Sequence, residues 1–173
     1  MSFTKPLNLL YFTLNAANDV RVEGLVLSLE AAGTVIPCLA GGTPIGVAYM
    51  TTEDPLYNPN AINHSTQYEL GAEIAVVREG VVRVPYHTTG GEAIAIGNYV
   101  SMLNANTAGY VRVHVPTALP VVYAAATMVL RLEEVNCIVG RALEVKGAAG
   151  KTGVGGMTHL KILLDIKGVD FAS

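Results

Sequence analysis

Short runs of Val, Ile, Tyr and Thr recur along the chain, and turns rich in Gly, Asn and Thr separate them. Successive side chains of a strand point to opposite faces, so apolar and polar residues that alternate predict half-buried strands. The runs that predict strands lie at 20–30, 33–40, 45–50, 73–87, 93–103, 110–115, 137–145 and 158–168. About ten short strands between such turns predict an all-β fold, a compact barrel or roll.

Two of these runs predict specific pairings and faces. Residues 73–87 hold two β-rich stretches on either side of Arg78, Glu79 and Gly80, which predicts a hairpin with a short turn containing glycine. The run at 158–168 predicts a last core strand. Its buried face would carry Leu160, Ile162, Leu164 and Ile166.

Two segments break the strand pattern. Residues 51–68 contain two prolines and little periodicity, which predicts an extended loop inserted into the domain. Residues 118–135 combine three consecutive alanines with runs that also suit strands, and they are the best candidate for a helix. We therefore expect at most one or two short helices.

The composition indicates that part of the surface is covered by partners. Of the 173 residues, 51% are hydrophobic and 14% are charged, whereas charged residues make up about 25% of an ordinary soluble domain. The longest apolar stretch, 118–130, is too short to span a membrane, and no signal peptide is evident. The net charge is -3 and the 11 basic residues are scattered, so nucleic-acid binding is not expected.

The glycine-rich segment 146–157 contains Gly150, Lys151 and Thr152, which resemble the end of a phosphate-binding loop. That motif requires another glycine five residues earlier, and Val145 is there. Four residues that break or weaken a helix follow, starting at Gly153, where the motif needs a helix N-terminus. The segment is therefore interpreted as an exposed hairpin loop.

No other residues form a recognisable active site. No pair of histidines has metal-ligand spacing, and Ser28, Ser65 and Ser101 lack a nucleophile-elbow motif. Cys38 and Cys137 lie among apolar residues, which suits buried thiols, although a disulfide between them stays open. We predict no enzyme activity, no cofactor and no metal. Catalytic groups assembled from distant strands would leave no such trace.

Glycines and apolar residues recur in a defined order in the second half of the chain. The first two segments run from Val77 to Val81 and Val82, and from Ile94 to Val100. Ile138 to Glu144 follows, then the glycine-rich loop and a closing strand. Over residues 70–167 this order resembles the small capsid decoration, or cement, proteins of tailed viruses with HK97-type heads.

This resemblance implies a β-barrel or β-tulip core that forms a homotrimer on the outside of the capsid, after assembly in the host cytoplasm. Its implied partners are the major capsid protein and neighbouring decoration copies, and its implied role is to stabilise the head. It also implies an N-terminal arm at 1–19 that precedes the barrel domain at 20–173. The arm residues expected to contact the capsid or a neighbouring copy are Phe3, Leu9, Leu10, Tyr11, Phe12 and Leu14.

A second interpretation belongs to another functional class. A β-barrel with a long inserted loop can also bind a small molecule or a glycan, with residues 51–68 as the binding element.

Overall fold

Ten strands account for most of the residues that the computed structural model describes. Those residues are 9–14, 24–30, 34–49, 73–87, 93–103, 107–116, 132, 134–146 and 159–166. The strands are β1 Leu9–Leu14, β2 Val26–Leu29, β3 Thr34–Pro37, β4 Gly46–Tyr49, β5 Glu73–Val77, β6 Glu79–Pro85, β7 Tyr99–Ser101, β8 Arg112–Val113, β9 Ile138–Ala142 and β10 His159–Asp165. The predicted all-β fold is confirmed.

The first five strands form a closed barrel in the order β1-β3-β2-β4-β5. β1 closes it, because it pairs antiparallel with β5 on one side and parallel with β3 on the other. The remaining pairs are antiparallel. Apolar side chains fill one core cluster of this barrel: Leu25, Leu27, Val35, Ile45, Ala48 and Val76.

The other five strands form a second sheet in the order β6-β10-β9-β7-β8. β10 lies between β6 and β9 and pairs antiparallel with both. Its burial follows the predicted alternation, since Leu160, Ile162 and Leu164 are buried and Leu163 is 43% exposed. The edge strands also approach each other. Tyr86, just after β6, bridges Val111, just before β8, and the Val111 N–H donates to the Pro85 carbonyl at 3.0 Å.

The barrel and the second sheet share one apolar core. Val26 and Val77 of the barrel belong to the same buried cluster as Val84, Leu160 and Ile162 of the second sheet. Gly109 helps to join the two parts. It accepts a hydrogen bond from the Val26 N–H at 2.9 Å and donates its own N–H to the Cys38 carbonyl at 2.8 Å. Its φ of 79° suits glycine, and a Cβ there would lie 2.7 Å from a Leu25 methyl carbon.

The predicted hairpin at 73–87 is wrong. β5 pairs with β1 and β4 in the barrel, whereas β6 pairs with β10 in the second sheet. Arg78 alone separates the two strands, and even the tightest hairpin loops have two residues. The chain therefore passes from the barrel to the second sheet at this point.

Other predicted elements are shorter than expected. The run at 93–96 contributes an isolated bridge from Ile94 to Lys146, and the run at 110–115 contributes a strand of two residues. Of the segment 118–135, the structure describes 132, 134 and 135, which are helical. The predicted loop at 51–68 and the glycine-rich residues 147–157 lie outside the described residues.

Candidate functional site

A serine and a histidine meet at the junction of β7 and β8. Ser101 ends β7 and His114 follows β8, and His114 Nδ1 lies 3.2 Å from Ser101 Oγ. The same Oγ accepts a hydrogen bond from the Leu103 N–H at 3.3 Å. The His114 N–H donates to the Tyr99 carbonyl at 2.8 Å, which fixes the backbone beside the ring. No motif in the sequence indicates this contact, because it depends on the pairing of two short strands.

The Ser101–His114 pair is built for structure and not for nucleophilic attack. Ser101 has 0% relative exposure, so a substrate cannot reach its hydroxyl in this conformation. Burial lowers the pKa of His114, and the nearby carboxylate of Glu134 opposes that effect in part. The native state therefore favours the neutral imidazole, which can hydrogen-bond Ser101 through Nδ1.

This lowered pKa predicts a loss of stability in mild acid. An unfolded histidine titrates near pH 6.5, so below that pH the unfolded chain binds a proton that native His114 resists. The free energy of unfolding is therefore not reduced by His114 above about pH 6.5, and it declines as the pH falls from there towards the pKa of His114 in the folded protein. Urea unfolding at pH 7.5 and 5.0 should show a larger loss for the wild type than for His114→Asn, whose side chain retains a hydrogen-bonding group near Ser101. Equal losses would contradict the assignment to His114, since the other three histidines remain in both proteins.

The two cysteines are buried thiols and do not form a disulfide. Cys137 Sγ donates to the Gly41 carbonyl at 3.3 Å, which ties the turn after β3 to the start of β9. Burial raises the pKa of Cys38 to about 12, although a hydrogen bond with Ser28 opposes the shift. A thiol with such a pKa is almost wholly protonated at neutral pH, so it is a poor nucleophile and a poor metal ligand.

Lys146 is the one described residue of the glycine-rich segment. Its backbone pairs with Ile94, and its Nζ lies 3.2 Å from Glu144 Oε1. The Lys161 N–H also donates to Glu144, at 2.8 Å. Burial raises the pKa of Glu144, but hydrogen bonds from Lys161 and Lys146 and the nearby positive charges outweigh this and leave the pKa lowered. Lys146 thus forms an ion pair with Glu144, at the first residue of the glycine-rich segment.

Large apolar side chains are exposed on the two segments that hydrogen-bond to Met102, just after β7, and we call them the apolar end: Leu39, Leu132 and Val135. The segments that carry them are joined by hydrogen bonds. The Gly41 N–H donates to the Met102 carbonyl at 3.0 Å, and the Met102 N–H donates to the Cys137 carbonyl at 2.9 Å. Exposed apolar residues on neighbouring segments mark a surface suited to a partner.

A second exposed surface lies on the outer face of the second sheet, where β6 and β10 pair. We call it the outer strip: Glu79, Val81, Arg83, Lys161, Leu163 and Asp165. In the strand register, Glu79 is opposite Asp165, Val81 is opposite Leu163, and Arg83 is opposite Lys161. Val81 and Leu163 are 47% and 43% exposed. The strip therefore runs from an acidic pair through an apolar pair to a basic pair.

The outer strip continues sideways across the sheet. Leu163 is opposite Arg141 of β9, and Arg141 is opposite Tyr99 of β7. The Arg141 guanidinium carbon lies 4.4 Å from the centre of the Tyr99 ring, and its Nη2 donates to the Tyr99 hydroxyl. The stacking holds this cation flat against the sheet.

Five of the six residues predicted for a capsid-contacting arm lie in β1. The backbone of Leu9, Leu10, Tyr11 and Phe12 pairs with β5, and that of Leu14 pairs with β3 of the same chain. Phe3 lies outside the described residues. The structure thus places this strand in the barrel wall, and contact of its side chains with a capsid stays a prediction.

The described residues hold neither a metal-binding group nor a membrane-spanning helix. In this part of the chain, no three His, Cys, Asp or Glu side chains are grouped to hold a metal ion. Nor does this part include a helix of the length and apolarity needed to cross a bilayer.

Comparison with known proteins gives little further information. No family model and no curated protein matches the chain. It is similar to a crystal structure of the N base of the head fiber gp8.5 in bacteriophage phi29, with a TM-score of 0.48 and 12% sequence identity. The aligned region covers 94% of this chain and 99% of that chain. A similarity of this strength identifies neither the family nor the function, which must come from the residues of this chain.

Proposed function

We propose that the chain is a structural protein of a bacteriophage head. In this proposal it binds the outer surface of the assembled major capsid protein lattice as a homotrimer and stabilises the head. It performs no chemistry there, and its location is the exterior of the virion.

The observation that carries the proposal is the apolar end. Leu132 is 67% exposed and Leu39 is 60% exposed, on a chain that has few charged residues overall. Burying such side chains against a partner contributes roughly 25 cal/mol per Å² of apolar area removed from water. A surface of this kind supports a binding protein more than an enzyme, and the buried Ser101 and Cys38 agree with that interpretation.

The choice of the major capsid protein as the partner rests on the resemblance to decoration proteins. Most of its glycine and apolar positions are structural: Val77, Ile94, Val100 and Ile138 are buried, and Gly140 lies within β9. Val81 is the exception, since it is 47% exposed. The resemblance therefore concerns mainly the framework of the domain. A protein that binds the assembled lattice better than free subunits stabilises the lattice by mass action.

Co-sedimentation with purified heads tests this function. We expect the full chain to pellet with expanded heads of the same virus and not with unassembled major capsid protein. We also expect its mass in solution, by light scattering, to be a multiple of three chains. Leu132→Asp should weaken head binding by at least about tenfold, since a charge would have to enter an apolar contact.

Ile96→Asp is the matched control. Ile96 is 66% exposed and precedes β7, whereas the segments that carry the apolar end hydrogen-bond to Met102, just after β7. Ile96 and the apolar end therefore lie at opposite ends of that strand. The control should bind heads like the wild type. Binding to free subunits as tight as binding to heads, or no head binding at all, would overturn the proposal.

A further inference from the structure

The outer strip carries charges of the same sign opposite each other at each of its ends. Like charges directly opposite each other in a sheet are destabilising. Two such pairs occur here, Glu79 with Asp165 and Arg83 with Lys161. Glu144 lies near the basic pair and offsets part of its repulsion. Arg78 immediately precedes the acidic pair in sequence.

The two pairs have opposite signs and stand at equal distances from the apolar pair. Glu79 and Arg83 are each two residues from Val81, and Asp165 and Lys161 are each two residues from Leu163. At about 3.4 Å per residue, each charged pair is about 7 Å from the apolar centre. A half-turn about that centre therefore exchanges the acidic position with the basic position.

We infer that the outer strip binds the outer strip of a second copy of this chain, related by a two-fold axis through Val81 and Leu163. In this contact Glu79 and Asp165 face the partner's Arg83 and Lys161, and the reverse holds across the axis. The exposed halves of Val81 and Leu163 cover each other at the centre. A two-fold contact requires a patch that is complementary to itself, and the order of charges along β6 and β10 satisfies that requirement.

Charge order favours a second copy over other occupants. A nucleic acid would be repelled by the acidic pair, and a membrane surface attracts a uniformly basic patch. Another copy presents the matching order by symmetry. The inference does not depend on the proposed function, because the contact is formed by the isolated protein.

Charge reversal provides the test, with the full chain in solution. The first variant, Glu79→Lys with Asp165→Lys, has a strip that is basic at both ends. The second, Arg83→Glu with Lys161→Glu, has a strip that is acidic at both ends. We expect the wild type to contain an even number of chains at low salt, and each variant alone to have half the wild-type mass. An equimolar mixture of the two variants should recover the wild-type mass.

A chain that carries all four reversals should also recover the wild-type mass, because its strip is again complementary to itself. Circular dichroism of each variant checks that the fold is retained. The contact agrees with the proposed homotrimer only where two trimers pair, so the inference is overturned if the wild type has an odd number of chains up to millimolar concentration. It is also overturned if either variant keeps the wild-type mass, or if neither the mixture nor the fourfold variant recovers it.

Cysteine cross-linking tests the position of the axis. A residue on a two-fold axis meets itself, so Leu163→Cys should form a disulfide-linked dimer under mild oxidation. The native Cys38 and Cys137 are buried and should not compete. Ile96→Cys, which is exposed outside the outer strip, is the control and should stay unlinked. Equal linking of both variants would contradict the proposed contact.

Discussion

Replacing Gly140 with alanine should cost at least about 3 kcal/mol of folding free energy, at the upper end of the usual range for overpacking. Gly140 lies in β9 and is opposite Leu164 of β10. A Cβ at this position would lie 2.2 Å from the Leu163 carbonyl oxygen and 3.1 Å from the Leu164 Cα. Both atoms belong to the backbone of β10, which is held between two strands and cannot move aside cheaply.

Gly97→Ala separates this steric cost from backbone strain. Gly97 has a φ of 88°, and a Cβ added there would have no atom within 4 Å. Its substitution should therefore cost only the strain of a left-handed residue, about 1 to 2 kcal/mol. Urea unfolding of both variants measures the difference. A loss for Gly140→Ala no larger than that for Gly97→Ala would show that β9 and β10 can separate without penalty.

Leu160→Ala should be the other strongly destabilising change, with a loss of about 2 to 5 kcal/mol. Leu160 is fully buried in the core that the barrel and the second sheet share. Truncation removes apolar contacts and leaves a cavity between two sheets that are fixed by their hydrogen bonds. The melting temperature should fall by several degrees, at roughly 2 to 4 °C per kcal/mol for a chain of this size.

Leu163→Ala is the matched control, because it makes the same chemical change three residues away on the opposite face of β10. Leu163 is partly exposed, so the loss should stay below about 1 kcal/mol. Both variants should be unfolded at low protein concentration, where association through the outer strip does not add to the measured stability. If the two variants unfolded at the same denaturant concentration, the orientation of β10 would be wrong.

The sequence predicts β10 well because its signal is local. Alternation at Leu160, Ile162 and Leu164 requires only that one face of the strand be buried, whatever the neighbours are. The same local reasoning fails at 73–87. Two good strand sequences separated by a turn-forming glycine look like a hairpin, but β5 pairs with β1 and β4, and β6 pairs with β10 near the other end of the sequence. Local propensity does not encode which sheet a strand joins.

The two exposed surfaces could not be located from the local sequence either. Glu79, Val81 and Arg83 alternate visibly in the sequence, but the like-charge pairs exist only once the register with β10 is known. The Ser101–His114 contact is likewise set by pairing of β7 and β8, and neither residue has a motif around it. The low charge content predicts surface reserved for partners, but it does not say where on the chain that surface lies.

The order of strands along the chain also sets the order of folding. The barrel has all its strands once residue 77 has been synthesised, whereas β10, which is central to the second sheet, ends at residue 165. At 5–20 residues per second, a nascent chain waits about 4 to 18 s for that strand. Val26 and Val77 of the shared core stay uncovered meanwhile, and β6 lacks its partner. We therefore expect the newly made protein to need chaperone protection during this interval, and to aggregate when translation stalls before β10.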